Sequence, residues 1–172
     1  MPSTYQLISS NVLTTTAASV TFSAIPSTYT DLVLRISAKT DRANANDGIK
    51  LLVNGSSASV YGERNVNGNG ATAGSNGNAN LAYGALRSGA TGASTANVFS
   101  STEVYLPNYN DATIHPFGSI QVQEDNSTTA RIFATASTFN TSGAITSLTL
   151  NPETGPNFVS GSSFYLYGIK NS

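Results

Sequence analysis

The chain has 172 residues, which suits one domain, with 39% hydrophobic and 10% charged residues and a net charge of −1. That balance gives no electrostatic case for nucleic acid or an anionic membrane as a partner, and 8 Tyr and 7 Phe argue against disorder. With no Cys, disulfides and thiolate metal sites are excluded.

The opening MPSTYQLISS has neither a basic start nor a continuous apolar run, so no cleaved leader is expected. Nor does any stretch approach the roughly 20 apolar residues needed to cross a bilayer as a helix. Alternation with a period of two dominates instead. TYQLIS and SVTFSAI read as the first two strands. In TDLVLRIS, Leu32, Leu34 and Ile36 share one face, and Val33, Arg35 and Ser37 the other. In IKLLVNG, Ile49, Leu51 and Val53 point one way, and Asn54-Gly55 is a strong turn signal. SVYGERNV and LAYGAL are weaker strands in the middle. NVFSSTEVYL aligns Val98, Val104 and Leu106 through Ser100 and Thr102. FGSIQVQE sets Ile120 and Val122 against Gln121 and Gln123. TARIFATASTF sets Ala130, Ile132, Ala134 and Ala136 against Arg131, Phe133, Thr135 and Phe139. AITSLTL and SFYLYGIK complete the set.

Turn chemistry separates these segments, at Ala24–Ser27, Asn46-Asp47-Gly48, Pro107–Asp111, Asp125-Asn126-Ser127, Thr141-Ser142-Gly143 and Asn151–Pro156. No segment carries a capped stripe at helical spacing. The reading is a single all-β domain over residues 1–172, a jelly-roll-like β-sandwich of about eight to eleven strands.

NGNGATAGSNGN, residues 67–78, is the most unusual stretch. A phosphate cradle would need a strand before it, a helix after it and usually a Lys; no helix follows and Lys is absent. A linker would need a second core beyond it, but the same strand pattern continues. The stretch therefore reads as a long loop at about 67–80, either solvated or in contact with a neighbouring subunit. Asn67, Asn69, Asn76 and Asn78 are its candidate partner contacts.

Reactive groups are few. His115 is the only His, cannot build a multi-His metal site, and reads as a strand start. Glu124 and Asp125 are adjacent, so on a strand they would face opposite sides and could not flank one bond. Asp41–Gly48 fails the calcium-loop spacing, with Asn46 at position six and Leu52 at position twelve, and reads as a turn. No catalytic, metal-ligating or cofactor-binding residue is assigned. Tyr29, Tyr61, Tyr83, Tyr105 and Tyr109 lie near turns and suit the sandwich rim, protein contacts or a sugar ring. Asn108, Tyr109 and Asn110 form the best glycan-contact candidate, beside Asp111.

IPSTYTDLVLRISAKTDR (Ile25–Arg42) and FYLYGIKN (Phe164–Asn171) resemble recurring segments of a family of small all-β structural proteins of tailed bacteriophages, common among viruses of aquatic bacteria including cyanobacteria. FSSTEVYLPNY (Phe99–Tyr109) and AITSLTL (Ala144–Leu150) resemble the family's middle and late segments, so the similarity spans nearly the whole chain. The resemblance implies a virion component assembled in the host cytoplasm, and carries no catalytic residue with it. A single domain without repeats or heptads suits a capsid cement or decoration protein, held by non-covalent contacts to the major capsid protein and to copies of itself, as a homotrimer. The alternative is a tail-fibre or receptor-binding module that contacts tail proteins or host glycan. A glycan-cleaving enzyme, with Glu63, Glu103 and Asp111 as the residues to test, and a cellular carbohydrate-binding sandwich are the remaining readings.

Overall fold

The computed structural model describes residues 4–110, 113–124 and 130–170. Twelve strands run through them: β1 (Tyr5–Val12), β2 (Val20–Phe22), β3 (Asp31–Ala38), β4 (Asp47–Val53), β5 (Tyr61–Gly68), β6 (Ala73–Leu81), β7 (Gly84–Gly89), β8 (Ser100–Leu106), β9 (His115–Glu124), β10 (Ala130–Phe139), β11 (Leu148–Pro152) and β12 (Ser163–Ile169). No helix occurs among the described residues. The turn expected at Asp125-Asn126-Ser127, together with Asp111, lies outside them.

Pairing is antiparallel throughout both sheets. The larger has eight strands in the order β1-β12-β3-β8-β9-β10-β5-β6; the smaller has four, in the order β2-β11-β4-β7. They are the two layers of a β-sandwich, joined by one apolar cluster. Leu32, Leu34 and Ile36 of β3 meet Ile49, Leu51 and Val53 of β4 there, with Leu148 and Leu150 of β11 and Phe164 and Leu166 of β12. Each of these strands places its apolar residues at every second position, as a half-buried sheet requires. The Asn54-Gly55 turn takes a left-handed backbone, at φ 51° and 68°, and ends β4, after which the chain crosses to β5 in the other sheet.

The strand count exceeds the expected eight to eleven because the Gly/Asn stretch is not a long loop. Residues 73–81 form β6, registered against β5 from Gly68↔Ala73 to Tyr61↔Leu81, and only residues 69–72 turn. Asn69 makes that turn tight. Its Oδ1 accepts from the amides of Ala71 (3.1 Å) and Thr72 (2.8 Å) and from Thr72 Oγ1 (3.0 Å), an Asx-type turn. Low apolar content concealed the strand, because β6 is an edge with almost every side chain exposed.

Parity on β9, β10 and β5 is set by aromatic rings at one end. Tyr61 and Phe139 pack with centroids 5.0 Å apart, His115 stacks on Phe139 at 6.0 Å, and Phe117 is buried beside them. Burying Phe117 and Phe139 stabilises by about 1.5–3 kcal/mol each, and the opposite parity would turn both of these large rings out to water. The pairings of β8 with β9, β9 with β10, and β10 with β5 contain no register shift, so the choice propagates along each strand. Residues 119, 121 and 123 of β9, 135 and 137 of β10, and 63 and 65 of β5 therefore point inward.

Candidate functional site

Hydrophobicity alone would turn Ile120 and Val122 into the core. The structure turns them out. Val66 is 59% exposed, Ile120 56%, Ile132 50% and Val122 41%, while Gln121 and Gln123 are buried. The outer face of the large sheet is an ordered lattice of side chains. Val122 on β9 is flanked by Ser101 on β8 and Ile132 on β10. One step along, Ile120 lies between Glu103 and Ala134, with Val66 beyond on β5. A further step reaches Tyr105, Gly118, Ala136 and Arg64, and the last brings Pro116, Thr138 and Gly62.

This face therefore has two halves. Branched apolar chains crowd one, and Gly and Ala floor the other. Two adjoining hollows of about 970 and 700 Å³ lie over it and share Arg64, Tyr105, Gly118 and Ala136. Arg64 walls one side by lying flat across β6, where Gly77 leaves it room; a Cβ there would come within 2.4 Å of Arg64 Cδ. Its Nη1 donates to the carbonyls of Glu63 (2.6 Å) and Asn78 (3.3 Å). Tyr105 walls the other, its hydroxyl donating to Asp31 Oδ2 at 2.8 Å. That bond, followed by partial burial, raises the Tyr105 pKa above its ordinary value. Arg35 and Glu103 pair at 2.9 Å on the rim, both well exposed, which stabilises little.

The inner face of the same strands is polar. Thr102 Oγ1, Gln121 Oε1, Gln123 Oε1, Thr135 Oγ1 and Ser137 Oγ are all buried and without a hydrogen-bond partner. Nearby, Glu63 pairs with Arg87 through both carboxylate oxygens and accepts from Asn78 Nδ2 at 2.7 Å. Arg87 also reaches Glu153 Oε1 at 3.2 Å, and Tyr83 donates to the same oxygen at 2.8 Å. Burial, then the Glu153 hydrogen bond, raises the Tyr83 pKa. Two glutamates sharing one guanidinium resemble a catalytic pair only superficially. Glu63 is fully enclosed and its oxygens are occupied, so it cannot approach a substrate bond.

Asp47 is likewise a structural hub. It accepts from Thr40 Oγ1 (3.0 Å) and from the amides of Thr154 (3.0 Å) and Gly155 (2.9 Å), with Arg42 3.7 Å away. N–H and O–H donors fill the carboxylate in the segment that faintly resembled a calcium loop. Among the described residues no group of three or more His, Asp or Glu is placed to hold a metal ion. His115 does open β9, as expected; its Nε2 donates to the Gly143 carbonyl at 2.7 Å.

The residues singled out in the sequence fall into two separate groups. Asn67, Asn69, Asn76 and Asn78 lie on the β5–β6 hairpin, where Asn76 borders the larger hollow and Asn78 the smaller. Asn108, Tyr109 and Asn110 lie after β8. There Tyr109 is completely buried, its hydroxyl donating to the Pro26 carbonyl, which corrects its reading as a surface contact. Asn110 Nδ2 donates to the carbonyls of Ser27 (2.8 Å) and Tyr29 (2.9 Å), and the Asn108 amide donates to Asp31 Oδ1 (2.8 Å). This NYN turn locks two loops together and presents no ring for a sugar. Arg64, Val66, Gly118, Ile120 and Ala136 were not among the expected contacts. The signal for them was the alternation of FGSIQVQE, whose two faces could not be assigned until Phe117 fixed the parity.

A scan of protein-family models found no match to this chain, and searches of curated proteins and of solved structures likewise found none.

Proposed function

We propose that the chain is a non-catalytic structural subunit of a tailed-bacteriophage virion, a cement or decoration protein that reinforces the head through non-covalent contacts. The observation that carries this reading is the outward apolar face of β8–β9–β10–β5. Monomers rarely leave a contiguous apolar patch of more than a few hundred Å² in water, and such patches mark contact sites. The scarcity of charge supports it further, since a neutral Ser/Thr/Asn surface can be covered without desolvating ions. The major capsid protein and other copies of the chain are the partners in this reading; the threefold arrangement comes from the family resemblance.

The fold reading is a jelly roll. Its support is the alternation of the chain between sheets: β2 in the small one, β3 in the large, β4 in the small, β5 and β6 in the large, β7 in the small, β8 to β10 in the large, β11 in the small. In this reading β1-β12-β3-β8 and β2-β11-β4-β7 are the two four-stranded halves of the eight-strand plan, and β9, β10 and the β5–β6 hairpin extend the large sheet beyond β8.

A tail-fibre or receptor-binding module is the second reading, favoured by the hollows between Tyr105 and Arg64, whose polar rim could take host glycan. Quantitative mass spectrometry of purified particles separates the two. The cement reading expects the chain in multiples comparable to the shell subunit. A handful of copies, with purified protein blocking adsorption to host cells, supports the tail reading; absence from particles contradicts both.

A further inference from the structure

The outer face of the large sheet is self-complementary, and we infer that its occupant is the same face of a second copy of this chain. The ridge made by Val66, Ile120, Val122 and Ile132 lies beside the hollow floored by Gly118 and Ala136. A two-fold axis across the strands, between Ile120 and Gly118, turns each ridge onto the partner's hollow. Ile120 then rests over the partner's Gly118, Val122 over the partner's Pro116, and Ile132 over the partner's Thr138. An isologous contact requires one patch to carry both halves of the fit, and this patch does. An unrelated protein would require only one of them.

Four strands at ~4.8 Å spacing and about seven residues at ~3.4 Å rise give a face of roughly 19 by 24 Å. Two such faces present about 900 Å² before side-chain relief is counted, close to the roughly 1,000 Å² that a specific interface should clear. The apolar centre carries no charge; at its margins the axis sets Arg64 beside the partner's Arg64 and Glu103 beside the partner's Glu103, where Glu103 is already paired with Arg35 and both groups are exposed enough for water and salt to screen them. The absence of charged side chains from the centre is a mark of interface centres.

The pairing is a property of the isolated chain and stands whether or not the protein belongs to a virion. Light scattering coupled to gel filtration tests it on wild type and three variants. Gly118→Trp fills the hollow; a Cβ at Gly118 meets nothing within 4 Å, so the side chain leaves the backbone without a clash. Ile120→Asp charges the ridge. Val12→Asp, on the equally exposed β1, is the control. Thermal melting of each variant establishes that it is folded. Wild type and Val12→Asp are expected at an even multiple of the chain mass. Gly118→Trp and Ile120→Asp are expected at half that mass while folded, with pairing weakened about thirty-fold or more, as for a central interface contact. A wild type that is monomeric or an odd multiple, or folded variants that keep the wild-type mass, overturns the pairing. If either variant is unfolded, Val66→Asp and Ala136→Trp are the replacements, judged by the same masses.

Discussion

Thr102 on β8 stands directly across from Gln121 on β9 inside the sandwich, and neither Thr102 Oγ1 nor Gln121 Oε1 has a hydrogen-bond partner. Gln121 Nε2 is taken up by Ser119, one pleat away on the same strand. A buried polar atom without a partner costs about 1–3 kcal/mol, so this half of the core is under-stabilised by its own composition. Shape-preserving apolar replacements should help. Thr102→Val and Thr135→Val are expected to be neutral or to raise stability by about 1 kcal/mol each. Urea unfolding reads this directly. A loss of more than about 1 kcal/mol would mean that these hydroxyls bond to ordered water instead.

Glu63 and Arg87 form the buried ion pair beside that row. Removing one partner leaves an uncompensated charge, so Arg87→Met should cost about 3–5 kcal/mol. Adding Glu63→Gln should restore most of it, and a double-mutant cycle in denaturant measures the coupling. Costs that simply add would contradict the pairing.

Asp47 holds the start of β4 to residues 153–155, through Thr154 and Gly155, at the end of β11. Asp47→Ala strands four donors, Thr40 Oγ1 and the amides of Gly48, Thr154 and Gly155, and a loss of about 2–4 kcal/mol is expected. Asp41→Ala is the comparison. Asp41 bonds Asn157 at an exposed position, and its loss should cost about 1 kcal/mol or less. Equal effects of the two substitutions would deny Asp47 its role as a hub.

Four tyrosines set an alkaline limit. Burial raises the pKa of Tyr61, Tyr83 and Tyr109, and the hydrogen bond to Asp31 raises that of Tyr105. Each folded-state pKa lies above the unfolded value of about 10, so the folded chain holds these protons more tightly. Their contribution is fully present below about pH 10 and is lost as pH rises through the folded values. Unfolding monitored from pH 8 upward should show flat stability to about pH 10 and a decline beyond it. Tyr61→Phe should make the decline shallower while lowering the plateau, because the hydroxyl bridges the Val53 amide and the Ser56 carbonyl. A slope unchanged in that variant would assign the alkaline loss elsewhere.

How much of this was legible in the sequence depends on where the apolar residues sit. In β3 and β4 one face is wholly apolar and the other mixed, with Arg35, Ser37 and Lys50 beside Val33 and Leu52, so Leu32, Leu34 and Ile49 could be read inward at once. In β9 and β10 the pattern was visible but its direction was not, because Phe117 and Phe139 compete with Ile120, Val122 and Ile132 for the core. Only tertiary packing decides between opposite parities of one strand. β6 was missed for a different reason: Ala73–Leu81 has few apolar side chains, and backbone pairing with β5 makes it a strand. Tyr109 looked like a surface ring beside Asn108 and Asn110, yet those asparagines bond backbone groups and draw the loop inward. The contact face lay in the same alternating segments, but needed three neighbouring strands in register before ridge and hollow could be seen.

The central claim is that the outward face of β9 and β10 is covered in the working protein. Carbene or hydroxyl-radical footprinting tests it most directly, by comparing Ile120, Val122 and Ile132 with the similarly exposed Leu7 and Val12. The account predicts that labelling of the first three falls as protein concentration rises, while Leu7 and Val12 stay labelled. Equal labelling of both groups at every concentration would contradict it.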